Sequence, residues 1–351
     1  MANWQQILQQ SLTSPHQLAD RFPIETSELE QVTAHYPMRI NPYYLELIRQ
    51  TGDPLWRQAV PDPRELRDAE GLVDPLGEED LSPVPNLVHK YPDRALFLVS
   101  NQCAMYCRFC TRKRKVGSPT AMVVSRDTIA AGLDYLRRTP TIREVLLSGG
   151  DPLLLADEQL DELLSALRAI PSIEVLRIGS RVPCTLPMRV TPGLVAVLKR
   201  HHPLYLNTHF NHPAELTEEA TQACTMLADA GIPLGCQTVL LRGVNDDAGV
   251  LRKLLLGLLR LRVKPYYLFQ ADLCRGACHF RTPLARGLEI MRRLSGHISG
   301  MALPAFALDA PGGGGKIRLS PDEIVRHGND FVFRNFRDRT YRYPDADDVS
   351  P

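Results

Sequence analysis

Net charge is almost absent from this sequence. Its 41 Lys and Arg balance 40 Asp and Glu, leaving +1 over 351 residues. It therefore lacks the basic excess that an electrostatic nucleic-acid binder carries on some face. Long apolar runs are absent too. The longest stretches, such as Val250–Leu261, are broken by Arg or Lys well short of the ~20 residues that cross a bilayer, so no membrane span is expected. Met1–Leu12 reads as a Gln-rich amphipathic helix without the basic start, apolar core and small-residue cleavage site of a signal peptide. A cytoplasmic location is expected. In such a reducing compartment, eight cysteines speak for metal or redox chemistry before disulfides. Low-complexity segments are missing as well. With 44% hydrophobic and 23% charged residues the chain is globular, and its length allows one large domain with extensions or two domains.

Residues 1–88 carry no strand signals. Trp4–Leu12, Thr26–Ala34 and Tyr43–Ile48 have helical spacing, and Pro-rich joints follow at Asp53-Pro54, Pro61–Pro63 and Ser82–Pro85. From Arg94 short apolar runs alternate with amphipathic stretches. Strands are expected at Ala95–Val99, Glu144–Leu147, Val175–Ile178, Leu204–Asn207, Leu234–Leu240 and Tyr266–Phe269. Helices are expected at Arg126–Arg138, Asp157–Ala169, Pro192–His201, Glu218–Ala230 and Ala248–Arg262. Such alternation predicts an α/β fold with a parallel sheet and right-handed crossovers, either open and doubly wound or a barrel. Each expected strand exit carries polar or glycine-rich residues, as at the mouth of a barrel. A partial, TIM-like (β/α)6 barrel over 89–300 follows, with a helical extension over 1–88 and a C-terminal segment over 301–351. That segment holds one more strand-like run, Pro304–Leu308, and ends in an acidic, Pro-containing stretch, Tyr343–Pro351, expected to be loose.

Cys103-Ala-Met-Tyr-Cys107-Arg-Phe-Cys110 is the sharpest local signal. Three thiolates within eight residues can wrap one small inorganic core. Zinc takes four ligands, usually as two separated pairs, and no second pair follows at that spacing. A [4Fe–4S] cluster normally takes four thiolates, so three leave one iron open to a ligand. Buried packing of three small side chains is the alternative without a metal. The CxxxCxxC spacing resembles that of the radical S-adenosylmethionine enzymes. The resemblance implies that the open iron holds the amino and carboxylate groups of S-adenosylmethionine, whose cleavage yields a 5′-deoxyadenosyl radical. Ser148-Gly149-Gly150-Asp151 resembles the glycine motif that meets the methionine ammonium group; a plain turn explains such a tetrapeptide equally well when it stands alone.

Gly312–Gly315 followed by Lys316 is not a Walker loop, because Ala310 stands where the first glycine belongs and Ile317 follows the lysine. It reads either as a flexible linker or as a mobile arm whose lysine forms a Schiff base with pyridoxal phosphate. Together with CAMYCRFCTRKR (103–114), LLSGGD (146–151), RIGSRVP (177–183), NTHFNHP (207–213) and LLRGVND (240–246), the run DAPGGGGK (309–316) resembles the lysine 2,3-aminomutase family over about residues 85–336. The resemblance implies that Lys316 carries pyridoxal phosphate. Arg94, with Lys90 and Tyr91, would hold the phosphate, Lys90 standing where other members can carry arginine. Arg112 would bind the substrate carboxylate, and His209 and Gln237 would lie near S-adenosylmethionine.

The resemblance also places two substrate-selecting acids at Asp272 and Asp309. Two carboxylates in a water-poor mouth repel and lose solvation unless a cation joins them, and a lysine ε-ammonium answers that need. Solvated loop or turn residues are the alternative for each. Family members can carry a zinc site built partly from a Cys-rich tail. This chain has no cysteine after Cys278 and has Asp247 where a ligand could sit, so no such zinc is expected. Cys184, Cys224, Cys236, Cys274 and Cys278 are expected to pack as small apolar residues. The function implied is isomerisation of L-lysine to β-lysine, with an electron donor such as flavodoxin or ferredoxin and a homo-oligomeric assembly. Alternatives are a related aminomutase serving elongation factor P β-lysylation, one acting on arginine or glutamate, or a non-catalytic iron–sulfur or zinc binding protein.

Overall fold

The computed structural model describes residues 3–118, 120–320, 325–327 and 330–344. Nine strands form one sheet whose spatial order follows the sequence: β1 (Leu87–Tyr91), β2 (Arg94–Ser100), β3 (Glu144–Gly149), β4 (Val175–Gly179), β5 (Leu204–Thr208), β6 (Leu234–Leu240), β7 (Val263–Gln270), β8 (Ala305–Ala310) and β9 (Gly315–Leu319). β2 to β8 are parallel, while β1 and β9 add antiparallel at the two ends. Helices Arg126–Arg138, Asp157–Arg168, Pro192–Lys199, Glu218–Asp229, Ala248–Arg260 and Leu284–Leu294 connect the parallel strands. This is the α/β partial barrel expected. All six predicted strands and all five predicted helices form.

The alternation within each strand explains the layering. Val145, Leu147, Leu176, Ile178, Leu204 and Leu206 are fully buried and pack with helix residues such as Leu160, Leu164, Leu194 and Leu198 in one core. The intervening Glu144, Arg177, Asn207 and Tyr266 share the other face, where Arg177 donates to Glu144 Oε1 at 2.6 Å, Asn207 Oδ1 at 2.9 Å and the Tyr266 hydroxyl at 3.2 Å. Asp247 caps helix Ala248–Arg260 by accepting from the amides of Gly249 and Val250, which is the work an N-cap carboxylate does.

The differences from expectation have local causes. β1 begins inside the segment read as strandless, because its sequence LVHKY is half polar and earns its place only by pairing with β2. A seventh parallel strand, β8, comes from the run assigned to the C-terminal segment. The helix before it, Leu284–Leu294, went unread, and Gly287 within it is needed: a Cβ there would lie 2.2 Å from the Phe306 ring of β8. Asp53-Pro54 is not a joint but a helix start. The Asp53 carboxylate accepts from the Leu55 and Trp56 amides, and Pro54 takes the first helical position. A second, three-stranded antiparallel sheet follows: β10 (Val325–His327), β11 (Asp330–Arg334) and β12 (Thr340–Pro344). The stretch expected to be loose therefore begins within β12, and its remainder, 345–351, lies outside the described residues. No helix among the described residues is long and apolar enough to cross a membrane.

The helical extension grips the cysteine loop. Glu65, fully buried, binds Arg108 through Nε (2.9 Å) and Nη2 (2.5 Å) and Lys113 Nζ (2.7 Å). Asn41 Nδ2 donates to the Ala104 carbonyl at 3.1 Å, and the Gln58 carbonyl accepts from the Arg108 amide at 2.9 Å. Removing one partner of a buried ionic group strands the others in low dielectric. Glu65→Ala should therefore cost about 3–5 kcal/mol of stability, read by chemical denaturation, whereas an unchanged midpoint would show that this contact does not anchor the loop.

Candidate active site

The cysteine loop leaves the end of β2, at the end of the parallel strands where the other strand exits also lie. Cys103, Cys107 and Cys110 are partly exposed and line one small cavity with Met105, Tyr106 and Val116. No group of three or more His, Cys, Asp or Glu side chains among the described residues is arranged to hold a single metal ion. Three sulfurs around a shared cavity suit a multi-iron core instead, in which each thiolate binds its own iron. Enclosure, then the charges of Asp151, Cys110 and Cys107, push the Cys103 thiol far up; enclosure and the Cys107 charge raise Cys110 as well. Without a cation Cys103 and Cys110 stay protonated. A positively charged cluster core supplies what the donor set lacks.

The glycine motif ends β3 against this loop. A Cβ on Gly149, whose φ is +133°, would lie 2.2 Å from the Ser100 carbonyl oxygen, and one on Gly150 would lie 2.3 Å from that of Gln102. The glycines thus permit a backbone-to-backbone approach: the Gly150 and Asp151 amides donate to Ser100 and Gln102 at 2.5 and 2.6 Å. Asp151 is buried and engaged, accepting from Ser180 Oγ (2.7 Å) and from the amides of Arg181 (2.8 Å) and Leu153 (3.1 Å). It braces the turn. Ser148 faces Arg112 Nη1 at 3.4 Å. His209 packs beside Phe109 of the cysteine loop, with ring centroids 5.5 Å apart, and bonds Asn211 Oδ1 at 2.9 Å. Enclosure and the Arg181 charge push its imidazole down to about 3, so it is neutral. Gln237 lies deeper in the barrel and donates to the Tyr266 hydroxyl.

A second cluster of charged residues gathers at the β8–β9 hairpin. The glycine run is not a loose arm: Gly312–Gly315 forms the tight connection of an antiparallel pair in which Asp309 and Lys316 stand opposite each other. Lys316 Nζ lies 3.4 Å from Asp309 Oδ1 and 5.3 Å from the Phe269 ring, and its amide donates to the Tyr91 hydroxyl at 3.0 Å. Gly315, at φ +85°, leaves room for that hydroxyl, which a Cβ would meet at 3.3 Å. Arg94 Cζ sits 3.9 Å over the Tyr91 ring while Nη1 donates to Asp93 at 2.8 Å. Asp272 lies within reach of the charges of Asp309, Lys316 and Lys90; enclosure and the Asp309 charge raise it to about 7. Lys90, Arg94 and the Tyr91 hydroxyl near the accessible amine of Lys316 suit a phosphorylated aldehyde.

Arg112 joins the two regions, and here the sequence reading missed a partner. Glu78, buried, takes the Nε and Nη2 edge of the guanidinium at 2.6–3.0 Å. Burial opposes ionisation, yet Arg112 holds the Glu78 carboxyl below its ordinary range. Arg114 and Lys115 are matched in the same segment: Arg114 pairs with Asp74 (3.2 Å) and Glu79 (3.0 Å), and Lys115 with Glu79 (3.2 Å). That segment also packs on the glycine hairpin, where a Cβ on Gly77 would lie 3.0 Å from Gly312 and Gly313 backbone atoms. Of the other cysteines, Cys274 is buried against the carbonyls of Cys110 and Thr111; burial, then the Cys110 charge, pushes its thiol up to about 12. Cys278 Sγ faces the Cys274 carbonyl.

Comparison with known proteins fits this geometry. Residues 97–254 match the profile of the radical SAM superfamily, which makes the chain a radical S-adenosylmethionine enzyme and implies a [4Fe–4S] cluster. Residues 291–351 match the profile described as lysine-2,3-aminomutase. The chain is 49% identical to the L-lysine 2,3-aminomutase of Acetoanaerobium sticklandii over 98% of its own length and 85% of that protein. For the enzyme of Clostridium subterminale the identity is 47% over 99% and 85%. This chain belongs to the lysine 2,3-aminomutase family, and its enzymatic class is isomerase. It is also 44% identical to the glutamate 2,3-aminomutase of Clostridioides difficile over 88% of this chain and 73% of that one. Substrate choice must therefore be argued from the site.

Changing Cys103, Cys107 or Cys110 to Ala should each abolish retention of about four irons per chain after anaerobic reconstitution, because two thiolates cannot hold the cube. Full iron content in all three variants would remove the assignment.

Proposed function

We propose that the chain converts L-lysine to β-lysine by moving the amino group from carbon 2 to carbon 3, with pyridoxal phosphate on Lys316. Bound S-adenosylmethionine and the cluster supply radical chemistry, and pyridoxal phosphate supplies a carbonyl that takes up an amine. A low-potential one-electron carrier such as flavodoxin or ferredoxin provides the electron. The observation that carries this reading is the acidic pair. Asp309 already holds the side-chain amine of Lys316, and burial together with the Asp309 charge raises Asp272 beside it to about 7. When Lys316 is committed to pyridoxal phosphate its charge leaves the pair, and a substrate ε-ammonium replaces it. Glutamate would instead bring a third carboxylate, which like-charge repulsion disfavours.

The remaining residues fix the opposite end. Glu78 occupies one edge of Arg112 and leaves the Nη1 edge, next to Ser148, to receive the substrate carboxylate. Lys90 and Arg94 neutralise a phosphate, and Tyr91 ties the lysine strand to β1. Lys316→Ala should abolish pyridoxal uptake and its near-ultraviolet absorption while leaving iron content intact; borohydride reduction followed by peptide mapping should find the label on Lys316. Label on another lysine would contradict the assignment.

Asp272→Asn and Asp309→Asn keep shape and lose charge. A charge-assisted contact in a dry site is worth on the order of 2–4 kcal/mol, so kcat/KM for lysine should fall about 30- to 1000-fold, and for neutral analogues of the same length far less. Normal lysine turnover in both variants would make the pair structural.

Acidity gives a further check. Below about pH 7, Asp272 holds a proton that it must release to bind an ammonium. KM for lysine should therefore rise as pH falls, by up to about tenfold per unit, and this dependence should disappear in Asp272→Asn. An unchanged pH profile in that variant would show that another group titrates.

A further inference from the structure

Arg181, just past the end of β4, is nine-tenths buried and donates from Nη1 to Cys107 Sγ at 2.8 Å. Its other terminal nitrogen donates to Gln58 Oε1 at 2.7 Å and Glu215 Oε1 at 2.8 Å. Glu215 is fully buried and fixed in turn. Its Oε1 accepts from the Tyr44 hydroxyl (2.8 Å) and Gln58 Nε2 (3.1 Å), and its Oε2 from the amides of Asn211 (2.7 Å) and His212 (3.0 Å). The Phe109 ring lies 5.2 Å from the guanidinium. The helical extension, the β4 exit and the β5 exit thus hold one permanent cation on one ligand sulfur. Structural compensation of Glu215 does not by itself need that contact, since only the Nη2 atom serves it. The Nη1 atom points at sulfur.

We propose that Arg181 is a positioning residue that raises the reduction potential of the cluster through the Cys107 sulfur. This rests on the three cysteines being the cluster ligands. Reduction moves one electron from a low-potential carrier, which is oxidised, to the cluster, which is reduced; no bond is made and no proton is required. The reduced cluster carries one more negative charge. A guanidinium hydrogen-bonded to a ligand sulfur in low dielectric stabilises that state more than the oxidised one. Glu215 moderates the effect by offsetting part of the arginine charge while keeping the fork aimed.

The test is a potentiometric titration followed by electron paramagnetic resonance, on anaerobically reconstituted enzyme without S-adenosylmethionine. Arg181→Gln should retain its iron and become harder to reduce, its reduction equilibrium constant falling about tenfold, which is about 59 mV for one electron. Arg181→Lys, which keeps the charge, should recover most of that loss. An iron-loaded Gln variant with the wild-type potential, or Lys and Gln variants that shift equally, would overturn the proposal. If Arg181→Gln fails to hold iron, Glu215→Gln decides. With Arg181 retained and its counter-charge removed, the potential should move in the positive direction, and no shift or a negative one would refute the role. Failure of the underlying reading looks different: wild type itself would then bind no cluster.

Discussion

Burial and neighbouring negative charge hold the Cys103 and Cys110 thiols from ionising unless positive charge offsets them, and positive charge surrounds the cysteine loop. Arg181 donates to Cys107 directly, and Arg112 follows Cys110 by two residues. Arg108 within the loop and Lys113 just past it are tied down by Glu65. Each of these cations is itself costly to bury, and each is matched by a carboxylate from outside the loop: Glu215, Glu78 or Glu65. The loop is thus suspended in alternating charge. The helical extension, which supplies Glu65, Gln58 and Asn41, is part of the cysteine site rather than an appendage.

A second constraint follows from substrate length. An amino acid gripped at both ends must present its reacting carbons at a fixed distance from a lysine on one side and the cluster on the other. Segment 74–82 links those positions physically. Glu78 orients Arg112, while Gly77 and Leu81 abut the hairpin that carries Lys316. A shift of the hairpin is therefore felt at Arg112. The antiparallel β8–β9 pair adds rigidity, since Asp309 and Lys316 sit across from each other on adjoining strands.

The parallel strands were legible because short apolar runs with alternating polar positions, bounded by glycine or proline, admit few other readings. The cysteine spacing was legible as chemistry for the same local reason. What stayed hidden is long-range. Glu65 with Arg108 is a pairing across 43 residues, Glu78 with Arg112 across 34, and Gln58 with Arg181 across 123, and no local pattern announces any of them. The glycine run was misread as a loose arm because its composition reports freedom of φ, not the Gly77 and Tyr91 contacts that use it up. Asp151 braces a turn through Ser180 and the Arg181 amide on the next strand exit, contacts that its own tetrapeptide does not announce. Asp272 and Asp309 were named by resemblance, and the structure adds Lys316 Nζ, 3.4 Å from Asp309 Oδ1.

The central claim is that the acidic mouth selects lysine. The most direct measurement is product analysis of the wild-type chain, reconstituted anaerobically with iron and sulfide and supplied with S-adenosylmethionine, pyridoxal phosphate and a one-electron reductant. L-lysine and L-glutamate are offered together at equal concentration. The account predicts β-lysine as the product, with glutamate untouched. Formation of β-glutamate in preference to β-lysine would contradict it.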